Sequence, residues 1–321
     1  MRVVLVIPIF NEALVLPQLL TRLESLRARL ETHSLDTIFI DDGSRDASAT
    51  LISAHSGTHA PSPWLHLVRL SRNFGHQAAL SAGLVHSATL APDAVVTLDA
   101  DLQDPPELIP ELLAAHANGA DVVLAVRRSR QERGLRRLGF DLFHKLFGSV
   151  VDQPIERNTG TFGLLSRDAL DAFLQLRERH RFFPGLRSWI GFTRAEVVYD
   201  RQERAAGEPA VTFRKLVRYA LDGVFSFSHL PLRLVSYAGL FSAGVGFAVA
   251  IFFAAKRLLG LESAFTGFTT LVTLVLFLGG VQLVAIGILG EYLGRIYDEV
   301  KQRPHFIVRP KRPASSSDPS A

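Results

Sequence analysis

The sequence predicts an α/β domain with a mostly parallel sheet, followed by two transmembrane α-helices. Three observations carry this. Short apolar runs alternate with helical patterns as far as about residue 126. Polar, carboxylate-rich loops follow those runs. Residues 234–255 and 263–290 hold no charged side chain. Apolar residues make up 48% of the 321, and the excess over an ordinary globular domain sits in those two uncharged runs. With no cysteine, disulfide frameworks, thiolate metal sites and cysteine nucleophiles are excluded.

The first run, Val3–Ile7, is ended by Pro8 and the Asn11-Glu12 pair, with no small-residue cleavage site after it. It reads as a buried parallel strand rather than a signal peptide. Leu16, Leu19, Leu20, Leu23, Leu26 and Leu30 then fall at helical spacing. Further strands are expected at Thr37–Ile40, Leu65–Leu70, Ala94–Leu98 and Asp121–Val126. Helices are expected at Gln77–Ser87 and Glu107–Asn118, the latter begun by Pro105-Pro106. This rhythm implies βαβ units, and in such sheets ligands bind at the carboxyl ends of the strands.

Four loops lie at those ends. Strand one leads into Pro8-Ile9-Phe10-Asn11-Glu12, with no G-x-G-x-x-G dinucleotide fingerprint. Strand two leads into Asp41-Asp42-Gly43-Ser44-Arg45-Asp46, which alone is explained as a turn and helix cap. Strand three leads into Ser71-Arg72-Asn73-Phe74-Gly75-His76. Strand four delivers Asp99-Ala100-Asp101-Leu102-Gln103-Asp104, three carboxylates within six residues. Like charges so close repel unless cations or protons neutralise them. A hard divalent cation shared with substrate phosphates suits such a cluster.

Together these loops resemble the family 2 glycosyltransferases of GT-A fold, whose catalytic domain is Rossmann-like. More narrowly they resemble the polyprenyl-phosphate glycosyltransferases, which include the dolichyl-phosphate mannose synthases and the bacterial bactoprenol glucosyltransferases. Asp99-Ala100-Asp101-Leu102-Gln103-Asp104-Pro105-Pro106-Glu107 resembles the family's DXD-type metal signature and is the most specific match. Asp222-Gly223 with Phe225-Ser226-Phe227-Ser228 resembles its juxtamembrane segment, and Gly287–Arg295 the end of its second span.

The resemblance implies a donor site of Pro8, Phe10, Asn11, Glu12, Asp42, Asn73 and Asp99, with Asp42 at the base. It implies Mg²⁺ or Mn²⁺ held by Asp99, Asp101 and Gln103. Asp101 would serve catalysis through the ion. Arg127, which follows strand five, and Arg201 and Arg204, in a Tyr-x-Arg-x-x-Arg-x-x-Gly arrangement, would bring anionic donor and acceptor together. The expected donor is a UDP- or GDP-sugar and the expected acceptor an undecaprenyl-type phosphate. The expected reaction is an inverting transfer of one sugar, for envelope polysaccharide or lipopolysaccharide modification. Two departures from the family pattern touch the acceptor side: Thr161 stands where an acidic residue is usual, and Ala210 where a lysine is usual. Asp152 and Glu156 lie near enough in sequence to substitute. A processive synthase is the rival reading, but Arg187-Ser188-Trp189 lacks its Gln-x-x-Arg-Trp motif. A non-catalytic flippase or ligase subunit is the other rival, and the intact Asp99, Asp101 and Gln103 set argues against it.

About 20 apolar residues span a bilayer, so both uncharged runs read as transmembrane helices. The expected division is a catalytic domain at 1–212, a juxtamembrane amphipathic segment at 213–230, spans at 231–256 and 264–292, and a basic tail at 293–321 with a disordered end. Phe213–Phe227, with Arg214, Lys215 and Arg218, is the better candidate for an interfacial segment, and Leu135–Val151 a second. Two spans put both chain ends on one side. Lys301, Arg303, Arg309, Lys311 and Arg312 face only Asp318 in the last residues. Positive-inside reasoning therefore places the domain and tail in the cytoplasm of a bacterial inner-membrane, multi-pass protein. A net charge of +4, concentrated in that tail, is no nucleic-acid footprint. A homo-oligomer is expected from the resemblance.

Overall fold

The computed structural model describes residues 1–57, 64–128, 159–179, 181–200, 230–259 and 268–310. Seven strands form one sheet: β1 (Arg2–Ile9), β2 (Ser34–Asp41), β3 (Leu65–Arg69), β4 (Ala94–Thr97), β5 (Val122–Arg127), β6 (Thr159–Ser166) and β7 (Arg194–Tyr199). Their order is β3-β2-β1-β4-β6-β5-β7. All five expected strands are present. Pairings β1–β2, β1–β4, β2–β3 and β5–β7 are parallel, and β6 runs antiparallel between β4 and β5. The fold is therefore mixed α/β with a mostly parallel sheet, as expected.

Helices cover the sheet: α1 (Leu16–Arg29), α2 (Ser48–Gly57), α3 (His76–Ala88), α4 (Ile109–Ala117), α5 (Arg167–Gln175) and α6 (Phe183–Trp189). The leucine spacing of α1 does what it predicts: Leu16, Leu19, Leu20, Leu23 and Leu26 are buried in the cluster holding Val3, Leu5, Ile7, Phe39 and Val96. Pro106 opens a single 3-10 turn before α4, as its fixed φ allows. Gly83 lets α3 lie close on the sheet, since a Cβ there would overlap Val6 Cγ1.

The strand order reverses at β1, whose neighbours are β2 and β4. The crevice beyond the carboxyl ends of β1 and β4 is thus the topological switch point. The loops entering it are Phe10–Glu12 and Leu98–Asp104.

Two units are distinguished by their internal contacts. The sheet, its helices and the segment from Arg303 form one; the two long helices belong to the other. Those helices are α7 (Leu230–Leu258) and α8 (Phe268–Val300). Both are long and apolar enough to cross a membrane, and their apolar windows are not buried within the protein. Of the second expected span, 264–292, the described residues 268–292 lie in a helix that continues to Val300. Within the tail, Val308 pairs with Leu70 of the sheet domain in an antiparallel bridge.

Candidate active site

Each loop at the carboxyl edge is tied to the next, and carboxylates make most of the ties. Asn11 adopts φ 57°, a left-handed conformation that Asn tolerates better than most residues. Its N–H donates to Ser44 Oγ at 3.0 Å, and its Oδ1 accepts from Arg45 N at 2.9 Å. Glu12 N donates to Ser48 Oγ. Asp46 accepts from Ala13 N and from Ser48. These bonds lock the β1 loop to the β2 loop.

Asp41 and Asp42 continue the chain of ties. Asp41 accepts from Ser44 N at 2.8 Å and from Arg69 Nε at 3.1 Å. Asp42, only 3% exposed, accepts from Phe74 N at 2.7 Å and Gly75 N at 2.9 Å, one bond to each oxygen. Burial pushes the Asp42 carboxyl above its ordinary pKa in spite of these two donors. Gly43 between β2 and the β3 loop has φ 74°, and a Cβ there meets the Arg72 carbonyl carbon at 2.7 Å. Only glycine fits both demands. Of the expected donor residues, Pro8 is buried within β1 and Phe10 is 43% exposed. Asn73 is exposed in the β3 loop.

Beyond β4, side chains replace backbone as partners. Asp99 Oδ1 accepts from Thr161 Oγ1 at 2.9 Å and lies 3.0 Å from His76 Nε2. Both contacts fall on one oxygen. Burial works against charge on each partner, but the contact with His76 and its charge outweigh it at Asp99. The Asp99 pKa is lowered and the His76 pKa raised, with Asp42 and Asp101 adding to the latter. Asp101 Oδ1 accepts from Gln103 N at 3.1 Å, and Leu102 between them is held at φ 60°. Asp99, Asp101 and Gln103 thus lie on one short loop after β4.

Asp104, 1% exposed, is spent differently. It accepts from the Tyr199 hydroxyl and from Arg127 Nη2, the latter at 3.3 Å. Arg127 Nε also donates to the Tyr199 oxygen at 3.2 Å. Burial and the Asp104 charge push the Tyr199 phenol well up. The Asp104 charge raises Arg127 further, against the effect of burial. Arg127, expected to hold an anionic substrate, therefore sits in a buried network that welds the β4 loop to β5 and β7. Arg201, Arg204, Asp152, Glu156, Ala210, Leu135–Val151 and Phe213–Phe227 lie outside the described residues.

Among the described residues no three His, Cys, Asp or Glu side chains group to hold an ion alone. Asp99 and Asp101 still suit a hard divalent cation, because such an ion bound with phosphates needs only a carboxylate or two. Asp99 keeps Oδ2 clear of the two contacts on its Oδ1.

The sequence alone did not assign His76 or Asp104 to the site, and it marked Thr161 only as a departure. The signal for Asp104 was available as the third carboxylate of its loop. His76 gave none, since its partner Asp99 lies on another strand. Thr161 donates where a carboxylate would have repelled Asp99.

The sequence profile described as glycosyl transferase family 2 matches residues 4–174. The chain belongs to glycosyl transferase family 2. It is a glycosyltransferase. It is 40% identical over 310 residues, 96% of this chain and 98% of the other, to a protein of Shigella flexneri named SfII prophage-derived bactoprenol glucosyl transferase. It is 41% identical over 307 residues, 95% of this chain and 93% of the other, to an uncharacterised glycosyltransferase of Synechocystis. Among solved structures, a mannosyltransferase of Pyrobaculum calidifontis in complex with GDP-Man and Mn²⁺ is 17% identical. That likeness covers 91% of this chain and 87% of the other, at a TM-score of 0.42.

Proposed function

We propose that this protein transfers a single sugar, with inversion, from a nucleotide diphosphate sugar to a polyprenyl phosphate at the cytoplasmic membrane face. The product serves envelope polysaccharide or lipopolysaccharide modification. The observation carrying this is the pairing of Asp99 and Asp101 at the switch point of a family 2 fold with two apolar helices behind it in the chain. Relatives named bactoprenol glucosyl transferase, alike over nearly their whole length, support the acceptor class.

The nucleotide lies across the loops of Pro8, Phe10, Asn11, Glu12, Asp42 and Asn73, and its diphosphate faces Asp99, Asp101 and Gln103. A bound Mg²⁺ or Mn²⁺ supplies charge neutralisation of the departing diphosphate. Asp99 is oriented for this by His76 and Thr161. An oxygen of the lipid phosphate attacks the anomeric carbon as the bond from that carbon to the diphosphate oxygen breaks. The acceptor is already anionic near neutral pH, so no general base is required. Arg201 and Arg204 hold the two anions together. Thr161 in place of an acid is compatible with this scheme.

The spans are proposed to cross the membrane as a pair. Arg303–Pro310 packs with the sheet domain, so the chain leaves that domain before α7 and rejoins it after α8. An even number of crossings follows, which supports placing domain and tail on one side. The basic tail favours the cytoplasmic side.

The test is transfer by the full-length protein in lipid nanodiscs, with undecaprenyl phosphate as acceptor and UDP-glucose, other UDP-sugars and GDP-mannose as donors. One donor is expected to give undecaprenyl phosphate-sugar of inverted anomeric configuration, dependent on divalent cation. Products longer than one sugar, or retention of configuration, overturn the reading.

A further inference from the structure

The loop after β3 is held from both sides, and one side is the distant tail. β3 is an edge strand. Edges present unpaired N–H and C=O groups. Here β2 occupies the inner side: Leu70 N donates to the Asp41 carbonyl at 2.8 Å. The tail occupies the outer side. Ser71 N donates to the Ile307 carbonyl at 2.8 Å, and Arg309 N donates to the Arg69 carbonyl at 2.7 Å. The two bonds flank the Leu70–Val308 bridge. Arg179 Nη1 bonds the Arg303 carbonyl and anchors the start of the segment.

Two backbone bonds and the Arg179 contact fix this strap; Phe306 is half-buried, whereas Ile307 is 52% exposed and Val308 46%. The candidate donor site begins directly beyond the strap's landing point. Phe74 N and Gly75 N reach Asp42, and His76 reaches Asp99. Arg72 stacks over Phe74 at 4.0 Å. Releasing the outer side removes the tail bond on Ser71 and leaves the loop held by β2 and by the Asp42 and Asp99 contacts, so freedom returns first at its Ser71 end.

We propose that Arg303–Pro310 is a positioning strap that orders the Ser71–His76 loop in its donor-receiving shape. The effect on donor binding rests on the function proposed above; the ordering of the loop does not.

Arg309→Pro tests this in the full-length protein in nanodiscs, because it removes the N–H bonded to Arg69. Arg309→Ala keeps that N–H and is the control. Truncation after Gln302 is a second variant. Amide exchange over residues 69–76, measured without nucleotide, reads loop order directly. Steady-state kinetics with UDP-glucose and undecaprenyl phosphate read its consequence. In Arg309→Pro and the truncation, exchange in this loop is expected to quicken about fivefold or more, the worth of one backbone hydrogen bond. KM for UDP-glucose should rise by a similar factor, while kcat and the lipid KM stay within about twofold. Arg309→Ala should match the parent. Unchanged exchange in both variants overturns the strap. Faster exchange with an unmoved donor KM overturns its positioning role. If the parent protein uses no nucleotide sugar, the donor reading fails and exchange alone decides the strap.

Discussion

The Asp41–Asp46 loop and the Asp99–Asp104 loop hold the same number of carboxylates and use them in opposite ways. In the first, backbone amides of Ser44, Phe74, Gly75 and Ala13 are among the donors. Those acids replace missing peptide partners and build the walls. In the second, Asp99 and Asp104 meet side chains of other elements: His76 of α3 and Thr161 of β6, Arg127 of β5 and Tyr199 of β7. Side-chain partners can rearrange when a ligand arrives, whereas a backbone tie cannot be given up without reshaping the loop. The comparison separates Asp42 and Asp104, buried and committed to the walls of the crevice, from Asp99 and Asp101, which suit a hard cation.

Three substitutions test that separation. Asp101→Asn is expected to reduce sugar transfer by roughly a thousandfold, the scale of losing charge stabilisation on a leaving diphosphate. Its thermal midpoint should stay near that of the parent, and EDTA should reproduce the loss. Asp104→Ala leaves the Arg127 charge without its buried partner and should cost about 3 kcal/mol in denaturant unfolding. Asp42→Ala strands the amides of Phe74 and Gly75 and should cost about 2 kcal/mol, with a weaker donor affinity as a by-product. An Asp42→Ala protein of parental stability would erase the distinction between the loops.

The smallest effect concerns Glu107, bonded to Arg22 of α1 through both carboxylate oxygens. The Arg22 guanidinium lowers the Glu107 pKa. A carboxylate with a lowered folded-state pKa contributes stability above its unfolded pKa and loses it as pH falls through the folded value. Glu107 is 42% exposed, so screening keeps the figure small. Glu107→Gln should cost about 0.5 kcal/mol at pH 7. The difference from the parent should vanish in acid, below the folded pKa of Glu107.

The parallel half of the sheet was legible because its strands are uninterrupted apolar runs. β6 and β7 were not. Gly160 and Gly163 break up the run in β6, and β7 is an edge strand whose Arg194 and Glu196 hide its pattern. The metal-type carboxylates were legible because one loop carries them. The His76–Asp99–Thr161 and Asp104–Arg127–Tyr199 groups were not, since each gathers residues from three strands or their loops and has no local spacing. Phe306-Ile307-Val308 was a faint signal, a short apolar run within a basic tail. Nothing local marked β3 as its partner.

The strap also sets an order of assembly. The amide of Ser71 is made early in synthesis, but the carbonyl it bonds, that of Ile307, emerges only after both long helices. The Ser71–His76 loop therefore lacks its outer hydrogen bonds on the ribosome until both long helices have been made. A chain that has not yet passed through that stage lacks the outer hydrogen bonds on this loop.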